Sequence, residues 1–483
     1  MEADLLIYDV GSTYTKISAF SMADGILSLL ARDQVVTTVE NIGSGIGNAN
    51  SMIEKRGVRL AEKCLVLSTS SAAGGLRMVA MGYMPRVTAK AAKEVAMSAG
   101  ARVLEIVTHE ESPEYRIEIL REIKPDIILL AGGTDGGDRE NLLENARYIV
   151  ESEVQAVVIV AGNSSAQEEA RLILDNGGVA SKRVANVMPN IHELKVAGAR
   201  EAIHEEFIRQ ISLARGLRKL IEIVSDNVVI PTPGAILMAA ELIASGTYEE
   251  EGVGDLILID IGGATTDIHS ILPSLEKLSI EERGLVVTNE KQSAYRTVEG
   301  NLGMRISATG IVDAIGPNGV LAKIGSNGDD DLAARLCEYT MYLEKNPGHI
   351  ASTEIEIEFD RALAVSSIEV ALKRHAGFIA EEYNPVMGIV PGTPMGRDLR
   401  GVKTIIAVGG IFSHRTESEC IGIVEQAMKD RGISLLPEKY SIYVDTSYLM
   451  YGIGVLSGRY PGMALRFARE YLNLDYMVDT VRI

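Results

Sequence analysis

The chain has 483 residues, 46% of them hydrophobic, and a formal charge of −19, a length that can bury more than one core. So acidic a balance argues against general nucleic-acid binding, which needs basic patches, and no apolar run reaches the length of a membrane span. Cys64, Cys337 and Cys420 stand far apart with no C-x-x-C, which disfavours a disulfide framework, a structural zinc site or an iron–sulfur cluster held within one chain.

The N-terminus, "MEADLLIYDVG", is acidic and enters a strand-like run at once, so it does not read as a secretory signal, and the expected location is the cytoplasm. Residues 1 to about 45 read as strands and turns: "LLIYDV", "TKISAF", then "ILSLLARDQVVTT" after a turn at Asp24-Gly25. "CLVLSTSS" is a further strand. From about 76 to 215 the rhythm changes. "LRMVAMGY", "RVLEIVT", "DIILLAGG", "QAVVIVAG" and "RVANVM" are short β-rich runs. Helix-like stretches alternate with them: "TAKAAKEVAMSAG", 111–123, 138–152, 164–176 and 190–213. This alternation predicts βαβ units and a doubly wound parallel sheet. A helix is predicted over "PTPGAILMAAELIASG" at 231–246, then a strand, turn and strand over "GDLILIDIGGATTDIHS". After 300 the chain reads as mostly helical until "KTIIAVGGIFSH" at 403–414, and a last strand, "SIYVD", leads into a helix at "TSYLMYGIGVLSG".

Two loops carry the candidate chemistry. Asp9-Val10-Gly11-Ser12-Thr13 matches Asp260-Ile261-Gly262-Gly263-Ala264, 251 positions on, with hydroxyls following at Thr15 and at Thr265 and Thr266. Glycines let the backbone approach an anion, and turn N–H groups can cradle phosphate oxygens. An Asp at a strand end can hold a hydrated magnesium ion. Taken singly, each loop is equally a tight β-hairpin built from ordinary turn residues. A strand ending in Gly409-Gly410 adds a loop against which a nucleoside could lie. There is no G-x-x-x-x-G-K-[ST], which excludes a P-loop ATPase, and no H-x-x-x-H pair, which disfavours a zinc hydrolase.

With its two phosphate-type loops, a nucleoside loop and two candidate connecting helices in that order, the chain resembles the actin-like ATPase superfamily: actin, sugar and acetate kinases, DnaK-type chaperones. "DVGSTYTK" resembles the first phosphate loop, "DIGGATTD" the second and "AVGGIFSH" the adenosine loop; "PTPGAILMAAELIASG" and "YGIGVLSG" resemble the connecting helices. The resemblance implies an α/β, ribonuclease H-like fold of two lobes around ATP and Mg2+. Asp9 and Asp260 would hold magnesium and its waters, and Asp267 would orient the attacking water or the metal shell. Gly11, Ser12, Thr13, Gly262, Gly263 and Thr265 would donate to the phosphates. Thr15, Thr266, Gly409, Gly410 and Ser413 are further nucleotide-contacting candidates. Lys16 could offset phosphate charge, or strand alternation could aim it elsewhere. Two departures from the chaperones stand out: Ile230 occupies the place of a metal-holding Glu, and Ser413 that of the basic residue lying against adenine.

"YRTVEGNLGMR" (295–305), "AGGTDGGDREN" (131–141) and "AGNSSAQ" (161–167) resemble signatures of the GlmL family, also called MutL and distinct from the mismatch-repair protein. That resemblance runs along the whole chain. It implies an ATP-dependent accessory protein of an adenosylcobalamin-dependent mutase, typically glutamate (methylaspartate) mutase, which exchanges damaged cobalamin for intact cofactor. From the residues alone, "TVEGNLGMR" is either a capped helix start with a surface ion pair or a segment covering the nucleotide. Asp135 and Asp138 are either helix N-terminal acids or part of a ligand edge. The D-x-H-x-x-G motif of base-off cobalamin proteins is absent. Its nearest match, Asp267-Ile268-His269-Ser270-Ile271-Leu272, lacks the Gly.

The expected organisation is a first lobe at 1–75, an α/β insert at 76–215 that contacts the client, a connecting helix region at 216–250, a second lobe at 251–440 and a returning helix at 441–483. The segment 76–215 could also mimic the mutase's own cobalamin-binding unit. Rival readings are a small-molecule kinase, for which no substrate base is identifiable, an aminomutase reactivase and an actin-like filament. The oligomeric state stays open, a homodimer included.

Overall fold

The computed structural model describes residues 1–11, 14–37, 42–71, 76–83, 101–190, 195, 198–199, 201–203, 205–206, 209, 221–225, 229–274, 293–326, 328–381, 383, 390–413 and 415–474. Strands β1 (Glu2–Val10), β2 (Tyr14–Ala23) and β3 (Ile26–Val36) form an antiparallel meander. Asp24 and Gly25 link the last two with φ of 52° and 76°, the doubly left-handed turn that matches strand twist. After helix α1 (Ile42–Lys55), strand β4 (Arg59–Ser70) returns parallel to β1. The centre of β1, Leu5 to Tyr8, is apolar without alternation because both its faces are covered. Leu6, Tyr8 and Val10 belong to one core with α1, and Leu5 and Ile7 to another on the opposite face.

A second sheet comes next, all parallel: β5 (Leu76–Met81), β6 (Ala101–Val107), β7 (Ile127–Leu130), β8 (Val157–Val160) and β9 (Ser181–Arg183), in the spatial order β6-β5-β7-β8-β9. It is the doubly wound sheet read from the alternation. Helices α2 (Pro113–Ile123), α3 (Glu140–Ser152) and α4 (Gln167–Asn176) cover one face through Leu120, Leu142, Ile149 and Leu174. Met78, Ala80, Ile127, Leu129 and Ile159 on the other face are continuous with the core of Leu6, Tyr8 and Ile17. "RVANVM" contributes only its first residue to a strand, because β9 ends at Arg183 and the loop beyond turns to serve its neighbours: Asn186 Nδ2 donates to Gly133 O and Asp135 Oδ1. The helix expected over "TAKAAKEVAMSAG" and most of that at 190–213 lie outside the described residues.

The chain then rejoins the first sheet as β10 (Ile230–Pro231), parallel to β4, and enters α5 (Thr232–Ser245). Beyond α5 the first sheet's plan is repeated. β11 (Leu256–Ile261), β12 (Thr266–Ile271) and β13 (Ala294–Glu299) form a meander. Helices α6 (Ala308–Ile315), α7 (Asp330–Lys345) and α8 (Glu354–His375) and a small pair, β14 (Phe378–Ile379) and β15 (Pro394–Met395), come next. β16 (Thr404–Gly409), α9 (Glu417–Met428) and β17 (Ser441–Asp445) complete the sheet. The two orders, β3-β2-β1-β4-β10 and β13-β12-β11-β16-β17, are the same arrangement, with an antiparallel hairpin pair on one side and parallel strands on the other.

Helices α10 (Met450–Ser457) and α11 (Pro461–Leu472) end the described chain. α5 and α10 lie between the two like sheets, in a core that takes Leu5 and Ile7 from one and Leu256, Leu258 and Val408 from the other. They cross so closely that a Cβ on Gly454 would meet the Ala235 carbonyl oxygen at 1.7 Å. No helix among the described residues is long and apolar enough to cross a membrane.

Candidate functional site

The two hairpins share one motif. β1 and β2 close through Gly11, whose N–H donates to Tyr14 O at 3.0 Å, and β11 and β12 through Gly262, whose N–H donates to Thr265 O at 2.8 Å. The register places Asp9 opposite Lys16 and Asp260 opposite Asp267. Both loops are therefore tight hairpins, as their turn residues allow. Both turns open into a single cleft of about 430 Å3 between the like sheets, lined among others by Asp9, Gly11, Lys16, Thr232, Asp260, Gly262, Gly263, Thr265, Asp267 and Arg296. That is within the usual size of a small-molecule site.

Strand alternation sorts the remaining candidates. Thr15 and Thr266 are corrected: each lies one residue out of phase with the cleft-facing positions and points to the opposite face. Thr15 Oγ1 pairs with Thr37 Oγ1 at 3.1 Å, and Thr266 Oγ1 donates to Leu302 O at 2.8 Å, both buried. Lys16 does face the cleft: its Nζ lies 2.8 Å from Asp9 Oδ2 and 3.7 Å from the centre of the Tyr448 ring. Gly409, at φ 148°, is packed against Ile261, where a Cβ would fall 2.4 Å from the carbonyl oxygen, while Gly410 and Ser413 reach the cleft wall. Ser12 and Thr13 lie outside the described residues.

The three aspartates differ in what holds them. Asp9 is saturated: Oδ1 accepts from Thr69 Oγ1 and Thr232 Oγ1 at 2.8 and 2.7 Å, and Oδ2 from Lys16. Asp267 is saturated too, by Arg296 Nε and Nη2 at 2.9 and 2.6 Å on Oδ1 and by Thr265 Oγ1 at 2.9 Å on Oδ2. Asp260 is the exception. Its Oδ1 is buried with no hydrogen-bond partner. Burial, and then the Asp267 carboxylate, push its carboxyl up to about 8.

Sequence reasoning missed several members of this site. Thr69 and Thr232 orient Asp9, and Thr232 lies within "PTPGAILMAAELIASG". Arg296 begins the "RTVEGNLGMR" stretch, whose turn braces the second loop. Met304 N donates to Gly262 O at 3.0 Å, Arg305 N and Ile306 N to Gly263 O at 2.8 and 2.7 Å, and Ser307 Oγ to Ala264 O at 2.6 Å. With its carbonyls so engaged, the loop leaves the N–H groups of Gly263 and Ala264 without a protein acceptor among the described residues. Glu299 pairs with Arg374, while Arg305 turns inward onto Asp360, at 2.8 Å. Arg415, two residues past Ser413, also lines the cleft and supplies a base from the same loop. Asp135 is tied down within its own sheet edge, accepting from Ser164 N and Asn186 Nδ2, both at 2.9 Å.

Two like sheets, each presenting an Asp-headed hairpin to one cleft and joined through crossed helices, are the actin-like ATPase fold. The chain belongs to the MutL protein family, whose profile matches residues 5–472. Protein MutL of Clostridium tetanomorphum is 38% identical over 481 residues, 98% of this chain and 99% of that protein. Two solved structures show distant likeness. The activator of the 2-hydroxyisocaproyl-CoA dehydratase from Clostridium difficile with bound ADPNP is 10% identical, with 99% of each chain covered and a TM-score of 0.31. The ethanolamine utilization protein EutJ from Carboxydothermus hydrogenoformans is 10% identical, with 95% of this chain and 88% of that one covered and a TM-score of 0.26. The duplicated topology, not these likenesses, defines the fold.

Proposed function

We propose that this chain is an ATP-hydrolysing, cytoplasmic chaperone that reactivates an adenosylcobalamin-dependent mutase, with glutamate (methylaspartate) mutase the favoured client. The observation that carries the nucleotide part is the buried, unpartnered Asp260 Oδ1 between two hairpins that face one cleft. Membership of the MutL family supports the client.

The residues present fit a magnesium ion. Asp260 offers a free hard oxygen, and Asp9 becomes available to the ion's waters once Lys16 turns to phosphate; magnesium is commonly held by one or two carboxylates, water and phosphate rather than by a protein cage. When bound, the ion would neutralise phosphate charge and fix the waters beside it. The chain does the rest. The Gly263 and Ala264 N–H groups would bind phosphate oxygens, and Ser12 and Thr13 would do so from the opposite hairpin. Arg296 holds Asp267 in place as a fixed negative wall. Arg415 would meet the nucleoside. Movement of the lobes about α5 and α10 would transmit the nucleotide state to the 76–215 sheet, which we propose touches the client.

Hydrogen exchange on the full-length protein mixed with cobalamin-inactivated glutamate mutase tests the reading. Protection within 101–190 that changes between Mg-ADP and a non-hydrolysable ATP analogue supports it. Protection confined to the second lobe, or insensitive to nucleotide, contradicts it.

A further inference from the structure

Among the described residues, five other than glycine have positive φ: Asp24, Lys124, Glu153, Tyr448 and Asn473. Four are polar residues in ordinary places for that conformation: Asp24 in a hairpin turn, and Lys124, Glu153 and Asn473 at helix ends. Tyr448, at φ 53°, is different. It is aromatic, only 8% exposed, and lines the cleft. A bulky side chain held in the left-handed region is strained, and such strain persists where the surroundings over-determine it, often at ligand clamps and switches.

The surroundings are specific. The Asp445 carboxylate, at the end of β17, accepts from Leu449 N and Met450 N at 2.6 and 2.8 Å and so caps α10. Tyr448 N donates to Asp445 O at 3.3 Å, and the Tyr471 hydroxyl ties down the other Asp445 oxygen at 2.7 Å. Tyr448 is therefore clamped on its C-terminal side by the first turn of the helix that crosses α5. On its ring side it carries Lys16 Nζ at 3.7 Å, the same ammonium that holds Asp9 at 2.8 Å. Burial, and then Asp260 and Asp9, raise its hydroxyl well above the ordinary phenol range.

We propose that Tyr448 is the positioning residue that couples nucleotide occupancy to the helix crossing, by exchanging Lys16 between its own ring and the incoming polyphosphate. The inference rests on the reading of the cleft as an ATP site. Without ligand, Lys16 has two partners, the Asp9 carboxylate and the Tyr448 ring. A polyphosphate is a stronger anion than a ring face, and a cation near Asp9 repels the ammonium, so both draw Lys16 off the ring. The ring then loses the partner that over-determined its place. The strained residue ahead of α10 relaxes, and the helix start moves with it.

The test compares four forms of the full-length chain: unaltered, Tyr448→Phe, Tyr448→Leu and Lys16→Met. Each is read by affinity for a fluorescent ATP analogue, by kcat and KM for Mg-ATP, and by amide exchange in 449–457 and 232–245 with Mg-ADP or a non-hydrolysable ATP analogue. Phe keeps the ring face, so the nucleotide-dependent difference in exchange is retained. Leu removes it. The Leu variant binds nucleotide within about threefold of the unaltered chain, loses the exchange difference, and drops in kcat by about 2- to 30-fold, the range of a cation–π contact, with KM little changed. A purely structural role would lower stability in Phe and Leu alike and leave the exchange difference in place. Lys16→Met, with the ring intact and at nucleotide concentrations at which the fluorescent analogue shows the site filled, also loses the difference and serves if the Leu variant does not fold. An unchanged difference in either Leu or Met overturns the inference while leaving the ATP site standing. Failure of the unaltered chain to bind nucleotide overturns both.

Discussion

Gly454→Ala isolates the helix crossing. A Cβ at this position would lie 1.7 Å from the Ala235 carbonyl oxygen, and backbone cannot swing aside as a side chain can. To reach ordinary contact at 3.4 Å, α5 and α10 must part by about 1.7 Å. Overpacking of this kind costs about 1–3 kcal/mol, and a domain of the size of one lobe loses about 2–4 °C in thermal midpoint for each kcal/mol. The larger consequence is functional, since the crossing is where the lobes would turn. Gly458→Ala on the same segment is the control, because its Cβ would make only ordinary contacts, with the flexible Met238 Cε at 3.5 Å and the Val455 carbonyl oxygen at 3.8 Å. The assays are thermal unfolding and steady-state Mg-ATP turnover. The account expects Gly454→Ala to fold with a lowered midpoint, to bind nucleotide nearly normally and to lose kcat, and Gly458→Ala to match the unaltered chain. If the two variants are indistinguishable in both assays, the crossing is not a close hinge contact and the reasoning fails.

The site itself supports three more expected outcomes. Arg296→Met strands the buried Asp267 carboxylate beside Asp260 and should cost about 3–5 kcal/mol by chemical denaturation, whereas the double variant Arg296→Met/Asp267→Asn should recover most of it. Asp260 holds its proton up to about pH 8 in the ligand-free protein, while an unfolded chain releases it near pH 4. Its contribution to stability is therefore fully present below about pH 4 and is lost as pH rises to about 8. Asp260→Asn should flatten the fall in thermal midpoint between about pH 5 and pH 8 and abolish magnesium-dependent nucleotide binding; an unaltered slope contradicts the raised carboxyl. Gly303→Ala drives a Cβ to 2.3 Å from the Ala264 carbonyl carbon, so it should displace the second loop and weaken Mg-ATP binding by about 1–3 kcal/mol in a calorimetric titration.

The hairpins were legible because their chemistry is local: an Asp, a two-residue step and a Gly-headed turn read the same in sequence and space. The doubly wound sheet was legible for a similar reason, since alternation of short apolar runs with helix-like stretches is a pattern along the chain. What escaped lies across the chain. Nothing local marks Thr69 or Thr232 as partners of Asp9, because the contacts arise only when β4 lines up beside β1 and β10, on the far side of β4, leads into the start of α5. Register decided Lys16, Thr15 and Thr266. Alternation is visible in the sequence, but the phase at which each strand meets the cleft is set by the turn, and a one-residue shift reverses every assignment. Arg305 illustrates another limit. Its charge suggested a surface ion pair, yet it folds inward onto Asp360 and the His349 carbonyl while its own N–H braces Gly263. Tyr448 carried no sequence signal at all. A left-handed tyrosine is visible only as a dihedral angle.

The central claim is tested most directly by recovery of mutase activity. Purified protein is incubated with cobalamin-inactivated glutamate mutase, Mg-ATP and fresh adenosylcobalamin, and mutase turnover is followed beside ATP hydrolysis, with Asp260→Ala as the parallel variant. The account predicts recovery that needs both ATP and fresh cofactor and is lost in Asp260→Ala. ATP hydrolysis with no recovery of the mutase, or recovery that persists without ATP or in Asp260→Ala, would contradict it.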